Sequence, residues 1–411
     1  MVNVLIARQF GPMGSGVNYY MMALFSLATL LLSGSYESAI VFFISKKEIS
    51  TNKLFGLSLI WILVSAILLV LIGYTAFLCY PAYKSNNLWL YGLMFIIGNL
   101  VVGFMSSFFS ANKDFKTPSL IGFVVNVLLM IAVAVLLPSA WISPQQFWLL
   151  YFGCFLIQGI ILLWILLRQG EWSPSYSLPN STELKKILHY LLVVFGCNLI
   201  MFACYRLDYW FVHQYCSLSL LGNYIQVSKL VQLFFILPGI LAGVVFPLTA
   251  GGNKTQSNDT IALLSRVLFT FYLIGCLILA TIGKWFFPWL FGEGFTQMYS
   301  AFLFYIPGIL FFSALFTLTA YFAGSGRVMV NLKGAFIALI LIGVGDILMV
   351  PTRGINGAAM VSSVGYLSYF LYVMNIYTKE HPTSMRSFLI MNKRDLSFIG
   401  NILQKRNQHT K

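Results

Sequence analysis

Eleven apolar runs, each long enough to cross a bilayer, dominate this chain: residues 18–44, 54–79, 88–110, 119–137, 146–167, 187–212, 223–247, 262–283, 298–323, 334–350 and 357–377. About 20 apolar residues span a hydrocarbon core as a helix. In that core only helices and closed barrels satisfy their own backbone hydrogen bonds. Runs of this length therefore predict an all-α polytopic membrane protein. Composition leaves no other choice, because 9% charged and 59% hydrophobic residues cannot cover a water-soluble body, for which about 25% charged is usual. No secretory signal is expected, since the apolar stub Met1–Ile6 is too short for one.

The formal charge of +14 would suggest a nucleic-acid partner in a soluble chain; here its placement gives another reason, and no nucleic acid is expected. Twelve Lys and Arg fall in one set of loops (Lys46, Lys47, Lys53, Lys113, Lys116, Arg168, Lys185, Lys186, Lys254, Arg266, Arg327, Lys333), against four in the alternate set (Arg8, Lys84, Lys284, Arg353). The positive-inside rule puts the richer set and the C-terminus in the cytoplasm. Asn180 and Asn258, each in an Asn-x-Ser/Thr match, fall in those inner loops and read as chance. Eleven spans place the N-terminus outside, and Met1–Ala7 reads as the last third of a truncated first helix. Either the natural start lies upstream, or the protein functions with one helix fewer.

The chain repeats itself. Arg8-Gln9-Phe10 to Asn18-Tyr19 aligns with His213-Gln214-Tyr215 to Asn223-Tyr224, at an offset of 205 residues. Phe109-Ser110-Ala111-Asn112-Lys113 resembles Phe322-Ala323-Gly324-Ser325-Gly326-Arg327, a helix ending in a small-residue basic turn. With the polar linker Arg168 to Lys186 between them, these matches predict two pseudo-symmetric bundles of about six transmembrane helices, at residues 1–183 and 184–378. A basic cytoplasmic tail, 379–411, follows. Its apolar set Leu389, Leu396, Ile399 and Leu403 suits an interfacial helix on anionic lipid, with a disordered tail as the alternative. Duplicated bundles support alternating access around a site between the halves.

Few residues could carry chemistry. There is no GxxxxGK[ST] loop, no HExxH and no histidine cluster, so neither an enzyme, a cofactor nor a metal site is expected. The six cysteines contain no CxxC and read as small buried packing residues. What remains are ionisable residues at membrane depth, which by default mark a substrate or ion pathway: Glu37, Arg206, Asp208, Lys229 and Asp346. Arg206 and Asp208 stand about 200° apart around a helix, so they cannot simply neutralise each other. Asn223, Gln226 and Lys229, at three-residue steps, make a drifting polar stripe suited to a cavity wall. Arg206, Lys229, Asn223 and Gln226 are thus candidate substrate-binding residues. Glu37, Asp208 and Asp346 are candidate ion-coupling sites, since a buried carboxyl can carry a proton. The competing reading, snorkelling to the interface, stays open for Arg206 and Asp208. Pro238 and Pro247, with Gly239 and Gly243, mark a hinge, and the aromatic pairs Tyr19-Tyr20, Tyr209-Trp210 and the run Trp285 to Trp289 fit interfacial belts.

These residues also carry a resemblance. Arg206-Leu207-Asp208, Leu221-Gly222-Asn223-Tyr224 and Phe246-Pro247 resemble the "RLD … GxY … P" run of polysaccharide-type flippases. Leu290-Phe291-Gly292-Glu293-Gly294-Phe295 is similar to their "LFGxxF" loop, Ile355-Asn356-Gly357-Ala358-Ala359 to "GIxGAA", and Ala7-Arg8-Gln9-Phe10-Gly11-Pro12 to "ARxLGP". The motifs run in order over nearly the whole chain. They resemble the Wzx-like branch (O-antigen and polysaccharide export) of the multidrug/oligosaccharidyl-lipid/polysaccharide (MOP) flippase superfamily. The resemblance implies flipping of an undecaprenyl-diphosphate-linked oligosaccharide across the bacterial inner membrane. It also implies membrane lipids, a polysaccharide polymerase and chain-length proteins as partners. Two other readings stand beside it: a cation-coupled small-molecule or drug exporter of the same superfamily, and a non-transporting member of a polysaccharide-assembly complex.

Overall fold

The structure is a computed structural model that describes residues 2–79, 88–136, 144–169, 178–250, 254–381 and 384–391. Among them every regular element is helical: α1 Val2–Ser33, α2 Tyr36–Ser45, α3 Thr51–Cys79, α4 Leu88–Ala111, α5 Lys116–Leu136, α6 Pro144–Arg168, α7 Ser181–Tyr215, α8 Leu218–Phe234, α9 Ile236–Ala250, α10 Lys254–Phe291, α11 Met298–Gly324, α12 Val328–Glu380 and α13 Met385–Leu389. Ten helical stretches of the described residues are long and apolar enough to cross a membrane. This is the all-α polytopic architecture that the run lengths require.

Several spans are interrupted where a smooth helix is expected. The run 18–44 is not one helix. It stops at Ser33 and restarts as α2 after two left-handed residues, Gly34 (φ 54°) and Ser35 (φ 63°). The run 223–247 breaks at Phe235, three residues before Pro238. A proline ring clashes with the carbonyl four residues earlier, here that of Phe234, so the break belongs on its N-terminal side. α12 contains the two runs 334–350 and 357–377, joined at Gly354 (φ 56°). A Cβ on Gly345 would meet Val361, on Gly365 Ile342, and on Gly357 the Met349 carbonyl. These pairings run antiparallel around Gly354, so the two arms form a tight helical hairpin.

The repeat is visible in the element order. A break at Gly11 (φ 63°) corresponds to the turn between α7 and α8, the break after Ser33 to the one at Phe235, and the α5–α6 pair to the two arms of α12. The basic turns match bond for bond. Asp114 N–H donates to the Phe109 carbonyl at 2.9 Å and Arg327 N–H to that of Phe322 at 2.7 Å, with Lys113 (φ 64°) and Gly326 (φ 78°) in the left-handed position. This is the Schellman closure of a helix C-terminus.

By contacts the chain divides into two compact units, one of residues 1–9 and 20–199, the other of 10–19 and 200–411. The first is held by an aromatic core around Phe25, Phe95 and Phe152, whose ring centroids lie 5.9–6.0 Å apart. Lys53 also pairs with Glu183 at 3.0 Å, and Glu183 closes a capping box with Asn180 at the start of α7. In the second unit the start of α1 lies against α8 at a crossing of small residues. A Cβ on Gly16 would stand 2.7 Å from the Gly222 nitrogen, and one on Gly222 would collide with the Pro12 carbonyl. Leu389, expected on a lipid-facing stripe, is buried instead. It closes α13, where Phe388 packs on Tyr377 and Arg266 Nη1 donates to the Ser387 carbonyl at 2.8 Å. Leu396, Ile399 and Leu403 lie outside the described residues.

The crossing predicts an asymmetry between glycines. Gly222→Ala should destabilise the protein by about 1–3 kcal/mol through overpacking. Gly103→Ala, in a helix with nothing within 4 Å of the new Cβ, should stabilise it by about 0.5–1 kcal/mol. Thermal unfolding of the purified variants in detergent, followed by tryptophan fluorescence, checks both signs.

Candidate functional site

Two residues apart on α7, Arg206 and Asp208 are sent to different neighbours, and no salt bridge joins them. Asp208 is only 2% exposed. Its carboxyl accepts from the Tyr224 hydroxyl of α8, from Ser362 Oγ of α12 at 3.2 Å, from the Tyr305 hydroxyl of α11 at 3.4 Å and from the Tyr209 amide at 2.9 Å. The Tyr224 and Tyr305 hydroxyls share a further hydrogen bond of 2.6 Å beneath stacked rings. Asp346, on the first arm of α12, is fully buried, and neither of its carboxyl oxygens has a hydrogen-bond partner. It lies near enough to Asp208 for the two carboxyls to act on each other electrostatically. Four helices thus converge on a buried carboxyl pair, and snorkelling is excluded for both members. Two buried carboxyls that act on each other would cost several kcal/mol to hold charged together, and the Arg206 guanidinium acts electrostatically on Asp208.

The cations lie on the other side of α7. The Arg206 guanidinium reaches the Tyr209 hydroxyl and Gln232 Oε1, each at 3.4 Å. Tyr209 in turn donates to Ser228 Oγ at 3.0 Å. One turn before Gln232 on α8, the Lys229 ammonium lies 3.2 Å from the centroid of the Tyr19 ring, a cation–π contact. The two cations act on each other electrostatically, both are half-buried, and no carboxylate forms a salt bridge with either among the described residues.

The rest of the polar stripe is less open. Asn223 is 1% exposed. Its amide donates to the Ser219 and Gly294 carbonyls at 3.0 and 3.2 Å, and its oxygen accepts from the Met298 amide at 3.1 Å. It therefore clamps the short 3-10 turn Glu293–Phe295 onto α8. Gln226 is also buried, and its Oε1 has no partner. Glu37 belongs to the first unit, on α2, with the Ser33 hydroxyl in reach, and it borders a cavity of about 540 Å³. The sequence reading missed Tyr305 and Ser362. Neither stands out there, because a Tyr or Ser in an apolar run becomes informative only when a carboxyl is known to face it. No group of three His, Cys, Asp or Glu side chains able to hold a metal occurs among the described residues.

No protein-family model matches the sequence, and no curated protein does. Solved structures do match. A lipid II flippase MurJ in an inward closed conformation superposes with a TM-score of 0.73 at 15% identity, over 94% of this chain and 86% of that one. An inward-facing multidrug resistance MATE family transporter of the MOP superfamily gives 0.67 at 14% identity, over 93% and 94%. The Vibrio cholerae MATE transporter VcmN, as a mutant, gives 0.65 at 14% identity, over 94% and 93%. The fold of this chain is the one shared by that flippase and the MATE transporters.

Stability should separate the two carboxyls. Tyr224→Phe takes a donor from a buried Asp208 and should cost about 1–3 kcal/mol. Asp346→Asn replaces a buried carboxyl whose oxygens have no hydrogen-bond partner and should leave the melting temperature unchanged or higher. A differential thermal scan of the two variants beside the parent protein tests the contrast.

Proposed function

We propose that this chain is a transporter of the bacterial cytoplasmic membrane that flips a polyprenyl-diphosphate-linked oligosaccharide for surface polysaccharide synthesis. It works by alternating access of its two bundles and is driven by a cation or proton. The observation that carries the reading is the presence of two basic side chains, Arg206 and Lys229, near enough to act on each other, with no carboxylate salt bridge to either among the described residues. A diphosphate matches this arrangement, because charge-assisted hydrogen bonds to its oxygens are about twice as strong as neutral ones. Arg206 supplies a planar fork of donors and Lys229 a compact point charge. The likeness of fold to a lipid II flippase supports a lipid-linked cargo. Gln226, with its unpartnered Oε1, and Asn223 complete the candidate binding set, Asn223 by holding the loop around Gly294 in place.

Coupling is assigned to Asp208 and Asp346, with Glu37 as a further candidate. A proton or small cation taken up between the two buried carboxyls changes the charge at the meeting point of α7, α8, α11 and α12. Such a change biases their packing, which is how a local electrostatic event drives a two-state element. A polysaccharide polymerase and chain-length proteins would act on the delivered lipid.

The competing reading, export of organic cations, draws on the likeness to MATE transporters. It is disfavoured by Arg206 and Lys229, which would repel such a cargo. Reconstitution decides between them. Proteoliposomes containing the protein should move a fluorescent undecaprenyl-diphosphate oligosaccharide between leaflets, and Arg206→Ala with Lys229→Ala should weaken binding of that lipid by about tenfold or more. Extrusion of ethidium without lipid flipping would replace the proposal with the exporter reading. Full transport after joint replacement of Glu37, Asp208 and Asp346 would remove the coupling assignment.

A further inference from the structure

The break between α1 and α2 is an expensive piece of backbone. Ser35 sits in the left-handed region (φ 63°), which is strained for an L-residue. Three side chains hold it there. Ser33 Oγ accepts from the Ser35 amide at 3.1 Å, Asn198 Nδ2 donates to Ser35 Oγ at 3.0 Å, and Trp61 Nε1 donates to the Leu32 carbonyl at 2.7 Å. Irregular backbone at membrane depth persists where it is buried in protein or lines a cavity, and strain of this kind collects at binding sites.

Beyond the break lies the cavity of about 540 Å³, a volume within the range of small-molecule sites. Glu37, Ser38 and Ser45 face it from α2, Ser107 from α4 and Tyr190 from α7. One wall is an aromatic platform, Phe42 stacked on Tyr190 with centroids 4.4 Å apart and planes 23° from parallel. Among the described residues, the hydroxyls of Ser38, Ser45 and Tyr190 make no hydrogen bond to other protein groups, and Glu37 takes part in no salt bridge.

That inventory selects its ligand. An organic cation would suit Glu37 and the aromatic wall, but the Lys46 ammonium already lies 4.4 Å from the Phe42 ring centroid and holds that seat. An anion would meet the Glu37 carboxylate, and the Lys46 ammonium that also lines the cavity is already paired with Glu48 at 3.8 Å. An apolar molecule would leave Glu37 and three hydroxyls unsatisfied in a partly buried space. A neutral ring that carries several hydroxyls on its edge and C–H groups on its face satisfies every group present. We infer that the Glu37–Tyr190 cavity is a saccharide subsite, in which Glu37 and the serines bond sugar hydroxyls and Tyr190 stacks on the ring. The inference rests on the proposed lipid-linked oligosaccharide cargo and gives Glu37 the task of reading its sugar.

The test uses the full chain in nanodiscs, with undecaprenyl diphosphate either bare or bearing one hexose or one N-acetylhexosamine. At least one glycosylated lipid should bind about tenfold tighter than the bare lipid, the gain expected of a few well-made hydrogen bonds. Tyr190→Ala should erase that gain and leave the bare lipid's affinity unchanged, whereas Tyr190→Phe should keep most of it. Ser45→Trp, at an exposed position on the rim, fills the cavity while leaving Tyr190 and Phe42 in place, and guards against misfolding of the Tyr190 variant. A gain that is absent from the parent protein, or that survives both Tyr190→Ala and Ser45→Trp, overturns the inference. So does competition at this site by tetraphenylphosphonium instead of sugar. Saturation-transfer NMR with free methyl glycosides reads the subsite separately from the lipid. Signal that Ser45→Trp abolishes, with no binding of either lipid, would support the saccharide subsite and count against the flippase reading alone.

Discussion

Everything placed in the second unit hangs from the point where α1 crosses α8 with almost no side chain between them. Gly16 and Gly222 let the two backbones meet, and the Pro12 carbonyl lies where a Cβ on Gly222 would be. Lipid supplies no hydrophobic drive for helices to associate, so close approach of small residues must hold them. Pro12 also presses on Gly294, and Asn223 ties the Gly294 carbonyl and the Met298 amide to α8. The crossing thereby fixes the rotation and depth of α8. Tyr224, one residue past Asn223, then turns toward Asp208, while Lys229, two turns past Gly222, comes to rest on Tyr19.

The same geometry accounts for an imbalance between the repeats. At the offset of 205, Tyr19 corresponds to Tyr224, but Asn3 stands where Asp208 does. The first repeat therefore keeps the tyrosine and lacks the carboxyl. Its own ionisable residue, Glu37, follows the α1–α2 break, at a place where the second repeat has the Phe235 turn and no carboxyl. Duplication produced two copies of a helical frame, and the charged groups were then distributed differently within them. A buried carboxyl pair on one copy and a polar cavity on the other make the two copies chemically unlike.

Much of this was legible in the sequence, and for definite reasons. Span length is dictated by the bilayer, and the charge asymmetry of the loops by topogenesis, so the helices stand close to where the apolar runs place them. The matching basic turns at Lys113 and Gly326 were readable because helix termination has its own local chemistry. The breaks were harder. Nothing in Ser33-Gly34-Ser35 demands a left-handed pair, since Asn198 and Trp61, far away in the chain, stabilise it. The buried state of Asp346 was hidden for a similar reason: four residues from the end of an apolar run it looks free to reach the interface, but the hairpin at Gly354 folds it inward. Asn223 misled in the opposite sense, because an amide in a polar stripe suggests a cavity wall until the loop it clamps is known.

The short motifs gain meaning from the same contacts. Gly11-Pro12, Gly222-Asn223-Tyr224 and Gly292-Glu293-Gly294-Phe295 are distant in sequence, yet they meet at the single crossing of α1 and α8. A likeness built from these residues is first a statement about how the helices pack, which is why it tracks the fold shared with a lipid II flippase and MATE transporters alike. Other polar side chains stand outside this packing. Arg206 and Lys229 flank the crossing without taking part in it, and Glu37 and Tyr190 belong to the other unit altogether. These four side chains could be exchanged and the helical frame kept intact, because none of them stands at the crossing itself.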